Sequence, residues 1–222
     1  MDNTPRIRTL RWAERQEVAG VVAAALHPGS LGEWLVPDAA HRLRVLTAVA
    51  EIWVEHALFF GDIHVTDDLT AATVGLHRLR PLPPPANYPS RLADAAGPYL
   101  QRFRTLDAVL EARRPAGAHH HLATLATPPQ DAGGLDEVML AHYLTRIDRT
   151  EMPAWAEVTV RDRTLFTRHG YRAQTPIRLP HGPTLLGMHR PAGGGRRWPT
   201  NPTESGTRPG PPAASPSAAT AR

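Results

Sequence analysis

"HHHLATLATPPQDAGGLDEVML", His119 to Leu140, is the stretch on which the reading of the fold turns. Its first nine residues have the composition of a strand, and strand alternation puts His119 and His121 on one face and His120 on the other. Prolines and glycines then make a turn, and "LDEVMLAHYLTRID" follows with helical spacing. A glycine turn that opens a helix presents free backbone N–H groups to an anion. Here Asp131 and Asp136 stand where anionic oxygens would sit. A helix N-terminus favours an anion by roughly 0.3–1 kcal/mol, whereas a carboxylate about 4 Å away opposes it by about 1 kcal/mol in water and about 4 near a protein surface. Each aspartate can equally be an N-terminal cap that points away. The direction of those carboxylates decides whether the turn holds a ligand.

On either side the pattern alternates between strand and helix. "RIRTLRW" (Arg6–Trp12) reads as a strand and "AERQEVAGVVAAALH" as a helix. After "PGS", Asp38 caps a long helix on which Leu43, Leu46, Ala50, Trp53, Ala57 and Phe60 share a face, and Gly61 ends it. "DIHVTDDLTAATVGLHRL" is a hairpin turning at Asp67-Asp68. Beyond the proline-dense "RPLPPPANYPS", Leu92, Tyr99, Phe103, Leu106 and Leu110 mark one helix. "AWAEVTV" is a strand, "RDRTLFTRHG" a short helix stopping at Gly170, and "YRAQTPIRL" and "TLLGMHR" are closing strands. His41, Arg42, Glu51 and Glu55 read as solvated helix-surface residues. This order predicts an α/β (α+β) fold with a mixed, mostly antiparallel sheet flanked by helices.

Composition limits the chemistry. The 222 residues suit one compact domain, expected over 1–191, followed by a Pro/Gly/Ser/Ala-rich disordered tail over 192–222. The absence of cysteine excludes disulfides and thiolate chemistry, and because all 25 basic residues are arginine, a Schiff-base lysine is excluded too. The arginine-only basic set points to a GC-rich bacterial genome. Of the formal +4 charge, +3 falls on residues 191–222, so no nucleic-acid face is expected. No apolar run is long enough to span a membrane, and the first residues lack the order of a secretion signal, so the expected location is cytoplasmic.

The strand order, together with "WLVPDAAHR", "GDIHVTDDLTAATV", "HHHLATLATPP", "RDRTLFTRHGY" and "LPHGPTLLGMHRP", resembles the GNAT superfamily of acyl-CoA-dependent N-acyltransferases over about residues 6–191. The pattern is nearest that of the puromycin N-acetyltransferase-like bacterial enzymes. The resemblance implies acetyl-CoA or another acyl-CoA as co-substrate, no metal, and a small-molecule amine that attacks the thioester directly in a ternary complex. It implies that backbone groups of Leu125, Ala126 and Thr127 pair with pantetheine and that Gly133, Gly134 and Leu135 face the pyrophosphate. The family's Gln/Arg-x-x-Gly-x-Gly/Ala loop is matched only in part: one register sets Asp131, Gly134 and Asp136 on its key positions, the other Gln130, Gly133 and Leu135. Where the family carries Asn and Tyr near the cofactor sulfur, this chain has Asp162 and Phe166, and Phe166 has no proton to give. The candidates for base or substrate contact are a histidine of His119, His120 and His121, or Glu33, which with Trp34 lies where related enzymes line the acceptor pocket. Two histidines at strand spacing lack the third ligand a metal would need. Two rival readings stand beside the transferase: a decayed relative that keeps only the fold as a binding module, and a fold reused for chemistry without CoA.

Overall fold

The computed structural model describes residues 5–128 and 134–195. Among these residues, seven strands form one sheet: β1 (Ile7–Thr9), β2 (Gly61–Thr66), β3 (Ala72–Arg78), β4 (His119–Ala126), β5 (Ala154–Thr159), β6 (Arg172–Arg178) and β7 (Thr184–Arg190). Their order is β1-β2-β3-β4-β5-β7-β6, and every pairing is antiparallel except that of β4 with β5. The sheet matches the expected fold class.

Local chemistry explains the hairpin at Asp67-Asp68. Thr66 Oγ1 accepts from the Thr70 and Ala71 amides at 3.0 and 3.1 Å, and Asp68 Oδ1 accepts from the Thr70 amide and hydroxyl at 3.2 and 2.9 Å. These bonds saturate the turn, and the Thr66 and Thr70 side chains hold the Asp68 carboxyl below its ordinary range.

Among the described residues, seven α-helices flank the sheet: α1 (Arg15–Leu26), α2 (Ser30–Leu35), α3 (Ala39–Phe60), α4 (Tyr88–Ala96), α5 (Leu100–Glu111), α6 (Leu135–Ile147) and α7 (Arg163–Arg168). Asp38 caps α3 as expected, its carboxylate accepting from the Ala40 amide at 2.9 Å. Gly61, where α3 passes into β2, lies so close to β3 that a Cβ would stand 1.9 Å from the Gly75 carbonyl oxygen. α2 fills what reads in sequence as a break. The single helix expected from Leu92 to Leu110 is two helices, because Gly97 takes φ +52° and Pro98 has no amide to donate. Leu92, Phe103 and Leu106 are nevertheless all buried.

On one face of the sheet, α1 and α3 pack against Ile63, Val65, Val74 and Leu76. A second cluster on that side joins Trp34, Leu35, Leu46, Phe103 and Leu106 of α2, α3 and α5 to Leu185 of β7. On the other face, Leu140, Tyr143 and Ile147 of α6 and Phe166 of α7 cover Ala154, Ala156 and Met188.

Two expected surface residues are buried or half-buried, and one expected core residue is exposed. Arg42 is buried, and its guanidinium donates to the carbonyls of Val36 (2.8 Å), Pro37 (3.1 Å) and His27 (3.4 Å), so it ties α3 to the ends of α1 and α2. Glu55 is half-buried in a bidentate pair with Arg91 at 2.8 and 3.0 Å, which fastens α4 to α3. Leu43, placed by periodicity on the apolar stripe, is 48% exposed.

No described helix is long and apolar enough to cross a membrane. Of the expected tail, residues 192–195 form a short 3-10 turn and the rest lies outside the described residues.

Candidate active site

The site begins with a defect in the sheet. Val74 pairs with Thr124 but Gly75 with Leu122, leaving Ala123 as an extra residue in β4. Such a bulge bends its strand and increases the local twist. At the same place β4 parts from β5: their parallel pairing runs over His120–Ala154, His121–Trp155 and Leu122–Ala156 and goes no further. Beyond it, β5 stays bound to β7 as far as Thr159. Among the described residues, the edge of β4 that faces β5 is therefore unpaired from Ala123 to Ala126.

A cavity of about 1360 Å³ occupies this wedge and continues beneath α2, α4 and α5. Leu125, Thr127 and Pro128 line one side of the wedge, and Thr159, Asp162 and Phe166 are among the residues lining the other.

Near the point of divergence lies an acid–imidazole pair. His121 Nε2 is 2.7 Å from Glu157 Oε2, and both side chains are 7% exposed. The other carboxylate oxygen of Glu157 accepts from the Trp155 indole N–H at 2.6 Å. Burial alone would raise the Glu157 carboxyl, but His121, the indole donor and the Arg114 charge outweigh it and hold the group below the ordinary carboxylate range. Arg78 Nε donates to His121 Nδ1 at 3.3 Å. Because guanidinium nitrogens only donate, Nδ1 is the lone-pair nitrogen and Nε2–H is the hydrogen given to Glu157. Gly187, opposite Glu157 on β7, makes room for the indole: a Cβ there would meet Trp155 Cη2 at 2.4 Å.

The three histidines separate as strand alternation requires. Of the three, only His121 lines the cavity. His119 is buried, its Nδ1 2.7 Å from the Gly117 carbonyl. His120 lies on the α6 face, its Nε2 2.7 Å from Thr150 Oγ1 and its Nδ1 3.0 Å from His77 Nδ1. Glu33 is exposed on α2 and is not among the residues lining the cavity. Trp34 is buried and donates to the Pro180 carbonyl at 3.0 Å.

Ala126 is buried at the β3 contact, while Leu125 and Thr127 are partly open to the cavity. Gly134 caps α6 with φ +75°, and Leu135 opens the helix. Asp136 lines the cavity, and its Oδ1 accepts from the Glu137 amide at 2.7 Å. Asp162 accepts from the Thr159 hydroxyl at 2.6 Å. Phe166 is 2% exposed and packs edge-on against Tyr171 at 5.2 Å, so it serves the core while touching the cavity. Asp131 and Gly133 lie outside the described residues.

Glu157, Trp155, Arg78 and Arg114 are site residues that the sequence reading passed over. Alternation along "AWAEVTV" sets Trp155 and Glu157 on one face, and a lone acid in an apolar strand is the signal that marks it. No group of three His, Cys, Asp or Glu among the described residues is arranged to hold a metal.

The histidines on the α6 face make stability depend on pH. His64 is 1% exposed and neither of its ring nitrogens has a partner among the described residues. Burial, reinforced by Arg146 and His142, lowers it to about 4, and burial together with His77 does the same to His120. Since both folded values lie below the unfolded 6.5, the unfolded chain binds more protons between these limits and stability falls as pH drops through that window. The expected loss from pH 7 to 4.5 is about 3 kcal/mol for the two together, after allowing for relaxation around an added charge. Urea unfolding at the two pH values measures it, and His64→Leu should flatten the dependence.

No family model and no curated protein matches the sequence. Solved structures do match. A Corynebacterium glutamicum protein described as histone acetyltransferase HPA2 and related acetyltransferase superposes with TM-score 0.63 at 22% identity, over 85% of this chain and 97% of that one. The chain has the GNAT fold. Drosophila melanogaster polyamine N-acetyltransferase aligns with TM-score 0.57 at 18% identity over 84% of this chain and 99% of its own. Arylalkylamine N-acetyltransferase 2 from Aedes aegypti gives TM-score 0.57 at 8% identity, over 85% and 99% of the two chains. At these identities it is the GNAT architecture that is shared.

Proposed function

We propose that this GNAT-fold protein is an acyl-CoA-dependent N-acyltransferase that acetylates the amine of a small molecule by direct attack in a ternary complex. The observation that carries the proposal is the wedge between β4 and β5, with the His121–Glu157 pair beside the point where it closes.

The residues present fit the co-substrate in one respect and oppose it in another. The unpaired edge of β4 offers the backbone groups of Leu125 to Thr127 to the pantetheine amides, and Gly134 and Leu135, at the start of α6, would face the pyrophosphate. Against this, Asp136 and Asp162 add two carboxylates to the cavity wall. Bound acyl-CoA would supply an activated acyl group as a thioester.

The chain's own contribution is to handle the proton. An acceptor amine enters mainly as its ammonium form and has to lose a proton before it can attack. His121 Nδ1, once Arg78 yields it, takes that proton, and the Glu157 carboxylate stabilises the resulting imidazolium through Nε2–H. Phe166 supplies no proton to a departing group. Release of free thiol on mixing the protein with acetyl-CoA and a panel of small amines tests the proposal; no amine-dependent release would refute it.

The opposing carboxylate gives a second expected result. Asp136→Asn should tighten acetyl-CoA binding about fivefold, the equivalent of about 1 kcal/mol of relieved repulsion. Calorimetry on the two proteins decides the point, and equal affinities would mean that the Asp136 carboxylate lies away from the phosphates.

A further inference from the structure

Beyond the acid–imidazole pair, the cavity wall carries two guanidinium groups whose hydrogen-bonding capacity the protein does not use. Arg78, at the end of β3, spends Nε on His121, and its guanidinium has no other hydrogen bond or ion pair among the described residues. Arg114, just beyond α5, pairs through Nη1 with Glu111, whose side chain is 68% exposed, and its buried Nε has no partner among the described residues. Both line the cavity.

Glu157 attracts both guanidinium groups at longer range but takes none of their N–H donors. Its two oxygens are taken by His121 and Trp155, and among the described residues no guanidinium bonds to it. Asp107, the other carboxylate nearby, is occupied by the Tyr88 hydroxyl at 2.7 Å. Burial lowers Arg78 to about 10, with the Arg114 charge adding to the effect and Glu157 opposing it, and burial lowers Arg114 as well even though Glu157 and Asp107 act to raise it. Each guanidinium thus keeps N–H donors with no protein acceptor among the described residues, inside a cavity where a hydrogen-bonded anion gains most. A planar fork of unused N–H donors matches a carboxylate. Arg78, opposite His119, lies at the His121 end of β4 with Arg114 near enough to act on it, and His121 is four residues, or about 13 Å of strand, from Leu125, so this anion is distinct from any held at the start of α6. Trp53, Leu76, Leu106 and Leu110 are among the apolar residues lining the same cavity.

We infer that the acceptor is an amino acid or similar amine bearing a carboxylate on an apolar body, with Arg78 and Arg114 holding the carboxylate beside His121 and Glu157. The inference rests on the transferase reading for its chemistry, but the binding it asserts can be measured without turnover.

L-Phenylalanine and 2-phenylethylamine share a body and an amine and differ by the carboxylate, so calorimetry of each against the full-length protein isolates the effect. The expected result is binding of phenylalanine at least about tenfold tighter than of phenylethylamine. In Arg114→Gln the ratio should fall toward one, and Arg114→Lys should recover part of it. Equal affinities, tighter binding of phenylethylamine, no binding of either at millimolar concentration, or an unchanged ratio in folded Arg114→Gln would each overturn the inference. Thiol release from acetyl-CoA separates the two claims. Selective phenylalanine binding without thiol release would keep the carboxylate site and refute the transferase, whereas release with phenylethylamine but not phenylalanine would do the reverse.

Discussion

Replacing His121 by glutamine should lower kcat by about 10²- to 10⁴-fold at neutral pH, the range typical for loss of a positioned acid–base group. Glutamine keeps a polar side chain at a buried position, so the protein should stay folded and the loss should appear in turnover rather than in acetyl-CoA affinity. Glu157→Gln removes the negative charge opposite the imidazolium while keeping the shape, and a loss of similar order is expected. Because the two side chains act as a unit through their 2.7 Å contact, the double substitution should cost little more than the worse single one. Additive losses would mean that the residues act separately. Glu157 also fixes the sign of one pH effect. Its carboxyl is held below the ordinary range in the folded protein, so the stability it contributes is present above the unfolded carboxylate pKa and is lost as pH falls through the lower folded value.

Gly187→Val should be nearly as damaging, by a different route. The new Cβ would lie 2.4 and 2.6 Å from ring carbons of Trp155, so the indole has to leave the surface of β7. Overpacking of this kind costs about 1–3 kcal/mol of stability. Moving the indole also breaks its 2.6 Å hydrogen bond to Glu157, so the carboxylate loses one of its two anchors and turnover should fall at least about tenfold. Urea unfolding and thiol release, measured together, separate these effects. In Gly187→Val/Trp155→Leu the steric conflict is relieved, so stability should recover while activity does not. Recovery of both would show that the indole fills space without positioning Glu157.

Much of the architecture can be read directly from the chain. Asp67-Asp68 turns the hairpin with its own side-chain bonds, and Asp38 caps α3; both are short-range interactions that residue identity alone predicts. The division between α4 and α5 is missed although Gly97 and Pro98 announce it, because the apolar spacing from Leu92 to Leu110 runs on across the break. Arg42 is misread for another reason: its carbonyl partners belong to the ends of α1 and α2, and nothing local to α3 reveals them. Of the site, alternation separates His120 from His119 and His121, yet which face meets a cavity depends on what covers each side of the sheet. Glu157 enters the site only once β4 and β5 lie side by side, although its isolation within "AWAEVTV" is visible beforehand. The divergence of these strands follows a bulge at Ala123, whose register no side-chain pattern encodes.

Isothermal titration of the full-length protein with acetyl-CoA tests the central claim most directly, because a wedge between β4 and β5 that serves acyl transfer has to bind this co-substrate before any amine is considered. The account predicts saturable binding of one acetyl-CoA per chain with a dissociation constant below about 1 mM. No binding at millimolar acetyl-CoA would contradict it.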